Sequence, residues 1–140
     1  DIGKIGIPDA ILLKTDKLTN DEYSEIKNHP AIGAHILSNA TIFQDLIPIV
    51  KHHHERYDGK GYPSNLLGEG IPLLARITSI ADTFDAMISR RSYRDALSLE
   101  FVKDELRKCS GTQLDPKLVP IFLEILEQEY HLIEEIQAKY

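Results

Sequence analysis

Apolar residues recur along this chain at three- and four-residue intervals, and no window alternates with the two-residue period of a half-buried strand. An all-α fold is the expectation. Thr19 stands three residues before Glu22, the spacing of a capping box, and predicts a helix over residues 20–28. Pro30 breaks or restarts it, because proline disfavours helix at the preceding residue. A short helix over 31–37 and a turn over 39–41 should follow. The next helix is expected from Asp45 to Tyr57, with Pro48 in its first turn and Ile47, Val50 and His54 on one face. Residues 58–70 are rich in glycine and read as a loop. A long helix over 72–89 carries the stripe Ile77, Ile80, Ala81, Phe84, Met87 and Ile88, which Asp82 and Asp85 interrupt. A helix from Ser98 ends by Gly111, a residue suited to a C-terminal cap. Asp115-Pro116 then opens a last helix that runs to about Gln128 and continues through an amphipathic tail to Tyr140. Residues 1–18 mix Gly3, Gly6 and Pro8 with apolar residues and read as a helix end followed by a loop.

Composition narrows the class. A chain of 140 residues, 42% hydrophobic and 27% charged, suits one domain with a real core. The net charge of -6 argues against a broad polyanion-binding surface, so DNA is not an expected partner. An anionic substrate would need local positive charge, from a metal or a few basic side chains. The lone Cys109 makes no internal disulfide and no zinc-thiolate site. A reducing cytoplasm is the expected compartment. No apolar run approaches the ~20 residues of a membrane span, and no signal peptide is visible. The chain starts Asp1-Ile2-Gly3-Lys4, with no initiator Met, and reads as a piece of a longer protein.

Chemistry is concentrated where adjacent histidines, His53 and His54, run into Asp58-Gly59-Lys60-Gly61-Tyr62-Pro63. The histidines can bind a metal, and the turn cannot continue a helix. Asp1, Lys4, His29 and Asp82 are the other residues suited to such a site. Imidazole and carboxylate together fit a first-row metal better than calcium, and paired metals suit phosphoester hydrolysis. Each residue also has an ordinary explanation. His29 could cap a helix or lie on the surface. His52, His53 and His54 could form a solvated helix face, and Asp1 a frayed end. Asp82 could pair with Arg76, although its apolar flanks suggest a buried carboxylate that needs a partner or a metal. Tyr62 could stack on a base or pack the loop. Arg90, Arg91 and Arg94 could grip phosphates or complement a helix C-terminus. His35, His52 and His131 read as structural or exposed. Spacing alone leaves these alternatives open.

A family resemblance goes further. Asp1-Ile2-Gly3-Lys4-Ile5-Gly6-Ile7-Pro8, His29-Pro30, the run from His53 to Pro63, and Ala81-Asp82-Thr83-Phe84-Asp85-Ala86 together resemble an HD-GYP domain. Arg91-Ser92-Tyr93-Arg94 resembles it too, with Ser92 where proline is usual. The resemblance implies an HD-domain-like helical bundle over 1–128, truncated at the N-terminus and lacking its upstream helices and the histidine of the HD pair, with a helical tail over 129–140. It implies a bacterial, metal-dependent cyclic di-GMP phosphodiesterase in second-messenger signalling, with pGpG or GMP as product. The alternatives are an inactive nucleotide-sensing or protein-interaction module, or a phosphohydrolase acting on another cyclic dinucleotide. Two or three divalent metals are implied, iron or manganese. Asp1, His29, His53, His54 and Asp82 match metal ligands, with Asp1 bridging, and Lys4 matches the lysine near the scissile phosphate. Tyr62, Arg91 and Arg94 match nucleotide-facing positions, and Asp85, one turn from Asp82, an orienting group for water or substrate. An upstream sensor or receiver domain and a homodimer are the implied partners. Leu132, Ile133 and Ile136 could pack on such a partner or on the domain's own core.

Overall fold

Among residues 1–89 and 98–137, which the computed structural model describes, every regular element is a helix, and the two β-bridges are isolated ones, Asp58 with Leu67 and Ser110 with Leu114. The all-α reading therefore holds. The chain forms two compact units, Asp1–Ser79 and Ile80–Tyr140.

The first unit holds α1 (Asp9–Leu12), α2 (Asn20–Ile26), α3 (His29–Ser38), α4 (Ile47–His52) and the start of α5 (Leu73–Ile88). The capping box forms as its spacing requires: Thr19 Oγ1 accepts from Glu22 N at 3.2 Å, and Glu22 Oε2 accepts from Thr19 N at 2.7 Å. Pro30 sits in the first turn of α3, where its missing N–H would have had no intrahelical partner, so it starts the helix. Residues 1–18 depart from the expected helix end and loop. They form a 3-10 turn, Ile2–Gly6, and the short α1.

The 3-10 turn lies directly against α3 because Gly3 has no side chain. A Cβ on Gly3 would stand 1.8 Å from the His29 carbonyl oxygen and 2.5 Å from Gly33 N. This contact sets Asp1 beside the start of α3.

A second departure concerns α4, which stops at His52 instead of running to Tyr57. Groups that a longer helix would use are engaged otherwise: the Val50 carbonyl accepts from His53 Nδ1 at 2.8 Å, and Glu55 N donates to the His52 carbonyl at 3.0 Å, a tighter turn than the helix makes. The loop beyond folds back on this turn, the His54 carbonyl accepting from Tyr62 N at 3.2 Å and the Tyr57 carbonyl from Gly68 N at 2.9 Å.

In the second unit, Ile80, Phe84 and Ile88 of α5 pack with Val102 and Leu106 of α6 (Leu99–Cys109), with Leu114, and with Val119, Leu123 and Leu126 of α7 (Leu118–Gln137). Each such burial contributes about 1.5–3 kcal/mol relative to exposure. Phe84 meets Phe122 edge-to-face at 5.4 Å between ring centroids. Ser98 caps α6 by accepting from Phe101 N, and Gly111 takes a left-handed φ of 78° after it. Asp115 is buried and accepts from Lys117 N at 2.7 Å ahead of α7. That helix continues unbroken past Gln128. Ile133 packs on the core and Leu132 is exposed.

The apolar stripe of α5 is narrower than its sequence suggests. Ile77, Ala81 and Asp82 are exposed, so the inference that Asp82 is buried and in need of a partner does not hold. A helix of mostly apolar residues still presents one side to solvent, and Asp82 is on that side. Among the described residues, no helix is long and apolar enough to cross a membrane.

Candidate metal centre

Asp1, His29, His53 and His54 come from three places in the first unit: the chain start, the first turn of α3, and the turn that ends α4. Each offers one ligand atom, and these atoms all lie within 4.8 Å of one another. The sequence named all of them, but it put both histidines of the pair on a continuing helix. The end of α4 is what turns them inward together.

Hydrogen bonding sets which nitrogen faces the cluster. His29 Nδ1 is 2.7 Å from the Ile26 carbonyl oxygen, and His53 Nδ1 is 2.8 Å from that of Val50. A carbonyl only accepts, so Nδ1 carries the proton in both rings, and in the neutral form Nε2 carries the lone pair. Both Nε2 atoms point at Asp1 Oδ1, at 3.3 Å from His29 and 3.9 Å from His53. Two lone-pair-bearing atoms facing a carboxylate repel one another unless a cation lies among them. The third ring, His54, stands 4.1 Å from His53 and 5.0 Å from His29 between centroids. Burial pushes its pKa down to about 3, assisted by the positive charge that His53, His29 and Lys4 can bear. His54 is therefore neutral at physiological pH, the form that ligates. Three imidazoles and a carboxylate, with two rings oriented by backbone carbonyls, suit a divalent first-row metal.

Lys4 lies at the edge of the cluster, with Nζ 2.6 Å from Asp1 Oδ2. Tyr62 stacks on His54 at 5.0 Å and 30° between rings. One of its faces is thus committed to the histidine, a partner its place in the loop did not reveal. Gly61, just before it, cannot be replaced: an added Cβ would lie 2.2 Å from Arg56 N.

Glu55, within the run from His53 to Pro63, anchors the loop. Its carboxylate is buried at 2% exposure and accepts from Ser64 N at 2.6 Å and Leu66 N at 3.1 Å. It pins the far side of the loop to the turn carrying the histidines. Asp58 orders the near side: Arg56 donates to both its oxygens, at 3.0 and 2.8 Å, and Asp58 Oδ1 also accepts from Lys60 N. Only the adjacency of Glu55 to the histidine pair hinted at such a role, since its partners lie nine and eleven residues ahead.

Asp82 and Asp85 lie on α5 in the second unit, both exposed, and Asp85 Oδ1 accepts from Ser89 Oγ at 3.0 Å. Arg76, considered above as a partner for Asp82, donates through Nε to the Ile71 carbonyl at 3.0 Å. Arg91 and Arg94 lie outside the described residues.

The family model of the HD domain matches residues 1–118. This chain belongs to the HD domain family. The HD-GYP resemblance is borne out by a relative from Xanthomonas campestris pv. campestris, a cyclic di-GMP phosphodiesterase response regulator, RpfG, 46% identical over 88% of this chain and 33% of its own length. A Vibrio cholerae relative, a 3'3'-cGAMP-specific phosphodiesterase 2, is 43% identical over 89% of this chain and 24% of its own length. The chain thus spans about a quarter to a third of these relatives. Its fold matches the crystal structure of a cyclic GMP-AMP specific phosphodiesterase of V. cholerae with a TM-score of 0.67, covering 93% of this chain and 34% of that one at 22% identity.

Proposed function

We propose that this HD domain is the catalytic part of a metal-dependent phosphodiesterase that hydrolyses cyclic di-GMP in bacterial signalling. The observation that carries the reading is the convergence of Asp1, His29, His53 and His54, with ligand atoms within 4.8 Å of one another, beneath an ordered Gly-Tyr-Pro loop. The names of the relatives, cyclic di-GMP phosphodiesterases among them, supply the substrate class.

These four residues would hold a divalent ion, and a bound ion of that kind supplies Lewis acidity toward a phosphate ester. The chain's own groups do the rest. Neutral imidazoles present lone pairs at a fixed orientation. Lys4 holds Asp1 by an ion pair and sets an ammonium at the rim, where it neutralises charge developing on a phosphoryl oxygen. Tyr62, fixed against His54, walls the side from which a base approaches. Asp82 as a further ligand, Asp85 as an orienting group, and Arg91 and Arg94 as nucleotide contacts belong to the same proposal. So do iron or manganese as the metal, two or three ions, a cytoplasmic setting, an upstream receiver or sensor domain, a homodimer, and a division of the chain into a domain over 1–128 and a tail. The 43%-identical relative named for 3'3'-cGAMP favours a second reading, hydrolysis of a hybrid cyclic dinucleotide.

The test is anaerobic elemental analysis of the chain and of His53→Ala and Asp82→Ala, with cyclic di-GMP and 3'3'-cGAMP turnover followed by chromatography on the full-length protein. We expect bound iron or manganese in the wild type and loss of metal and turnover in both variants. Metal and turnover retained in both would overturn the assignment, and faster turnover of 3'3'-cGAMP would select the second reading.

A further inference from the structure

Helix α7 is apolar on two sides. Val119, Leu123 and Leu126 are buried in the core, with Tyr130 and Ile133 packed against it. A helix lying on a core ordinarily turns charge toward solvent on its other side. Here Ile121, Ile125 and Leu132 stand on that other side, 54%, 50% and 45% exposed. With Gln128 among them they follow one another at spacings of four, three and four residues. At 3.6 residues per turn they fall in a stripe about 60° wide. This is the seam of a two-stranded coiled coil, with Ile125 and Leu132 at a positions and Ile121 and Gln128 at d positions.

The residues flanking the seam decide what lies on it. Glu124 and His131 take the g positions, and Phe122 and Glu129 the e positions. Gln128 Nε2 donates to Glu124 Oε1 at 3.3 Å, which keeps that carboxylate at the edge of the seam. In a parallel pair of such helices a g residue meets the e residue five places on in the other helix. Glu124 would then face the partner's Glu129 and be repelled. In an antiparallel pair g meets g, so Glu124 faces the partner's His131, an imidazole able to donate to the carboxylate. Two-fold symmetry makes this contact twice. The same register sets Ile121 against the partner's Leu132, and Ile125 against the aliphatic stem of the partner's Gln128.

We propose that α7 docks on α7 of a second copy of this chain, antiparallel about a two-fold axis, with Ile121, Ile125, Gln128 and Leu132 as the seam and Glu124 and His131 as its charged edge. The seam runs along about 17 Å of helix, so the association depends on concentration. It gives the homodimer of the proposed function a definite surface, and it needs neither metal nor substrate.

The experiment is sedimentation equilibrium of the whole chain from micromolar to submillimolar concentration, with and without a chelator. The wild type is compared with Ile125→Glu, Glu124→Lys, His131→Glu and the double variant Glu124→Lys/His131→Glu, and circular dichroism confirms that each is folded. We expect a monomer–dimer equilibrium in the wild type that the chelator leaves unchanged. Ile125→Glu should weaken it roughly a hundredfold or more, because a charge enters both inner apolar layers. Each single charge variant should weaken it roughly three- to tenfold, and the double variant should restore it, because each edge pair then joins an ammonium to a carboxylate. A chain that stays monomeric at every concentration overturns the proposal and leaves the seam to a different protein. A dimer that Ile125→Glu leaves intact overturns this surface. Tightening by Glu124→Lys overturns the antiparallel order, since it would relieve the clash that the parallel order makes. Each of these failures leaves metal content and turnover untouched, so none is confused with failure of the phosphodiesterase reading.

Discussion

Replacing Gly3 by alanine should disable the metal centre without touching a ligand. Gly3 is buried against α3, and an added Cβ would lie 1.8 Å from the His29 carbonyl oxygen. Real contacts of this kind stay beyond 3.0 Å, so the two segments must part by about 1.2 Å. The His29 carbonyl belongs to the packed helix, so the 3-10 turn moves and carries Asp1 with it. Metal–ligand distances tolerate about 0.2 Å, several times less than that displacement. Asp1 Oδ1, now 3.3 Å from His29 Nε2, therefore leaves the donor set. The metal affinity should drop by about 100-fold or more, at the upper end of the loss seen when a group supporting a ligand is removed. Overpacking costs about 1–3 kcal/mol of stability. The assay is Mn²⁺ competition against a fluorescent chelator, with circular dichroism to confirm a folded chain. Gly70→Ala is the control, since nothing lies within 4 Å of its added Cβ. A folded Gly3→Ala chain that holds Mn²⁺ as tightly as the wild type would refute the reasoning.

Glu55→Gln swaps an acceptor for an NH₂ group facing a backbone N–H, at one of two bonds that Ser64 and Leu66 now donate. A loss of about 2–3 kcal/mol is expected from the broken charge-assisted bond and its stranded donor. Urea titration should show it, and an unchanged midpoint would mean that the carboxylate does not anchor the loop. Acid should weaken the metal-free chain through His54. Unfolded, that imidazole takes a proton near its ordinary 6.5; folded, burial defers uptake to about 3. The unfolded state thus binds more protons between these values, and the stability present above pH 6.5 is lost as pH falls toward 3. Thermal midpoints of wild type and His54→Gln, compared from pH 7 to 4, should show a shallower decline in the variant. Parallel curves would contradict the shift.

Much of this protein is legible from its residues because the information is local. The helical class follows from three- and four-residue periodicity, which any window displays. The capping box at Thr19 and Glu22 and the helix start at Pro30 need only residues a few positions apart. The ligating residue types were also visible, and the run from His53 to Pro63 carried the family resemblance. Other features came from contacts between residues distant in the chain. Periodicity extended α4 to Tyr57, yet the helix stops at His52, the Val50 carbonyl accepts from the His53 ring, and the loop returns so that Tyr62 N reaches the His54 carbonyl, which leaves His53 and His54 in one cluster. Apolar neighbours made Asp82 look buried, but which side of α5 meets the core depends on what packs there. Gly3 looked like a loop residue until α3 lay against it, and Glu55 had no visible purpose until the loop closed over it. The sequence by itself determined the helical class and which residue types could carry chemistry. Tertiary structure decided where the helices stop and which side chains meet, because those outcomes rest on backbone hydrogen bonds and close approaches that no local window contains.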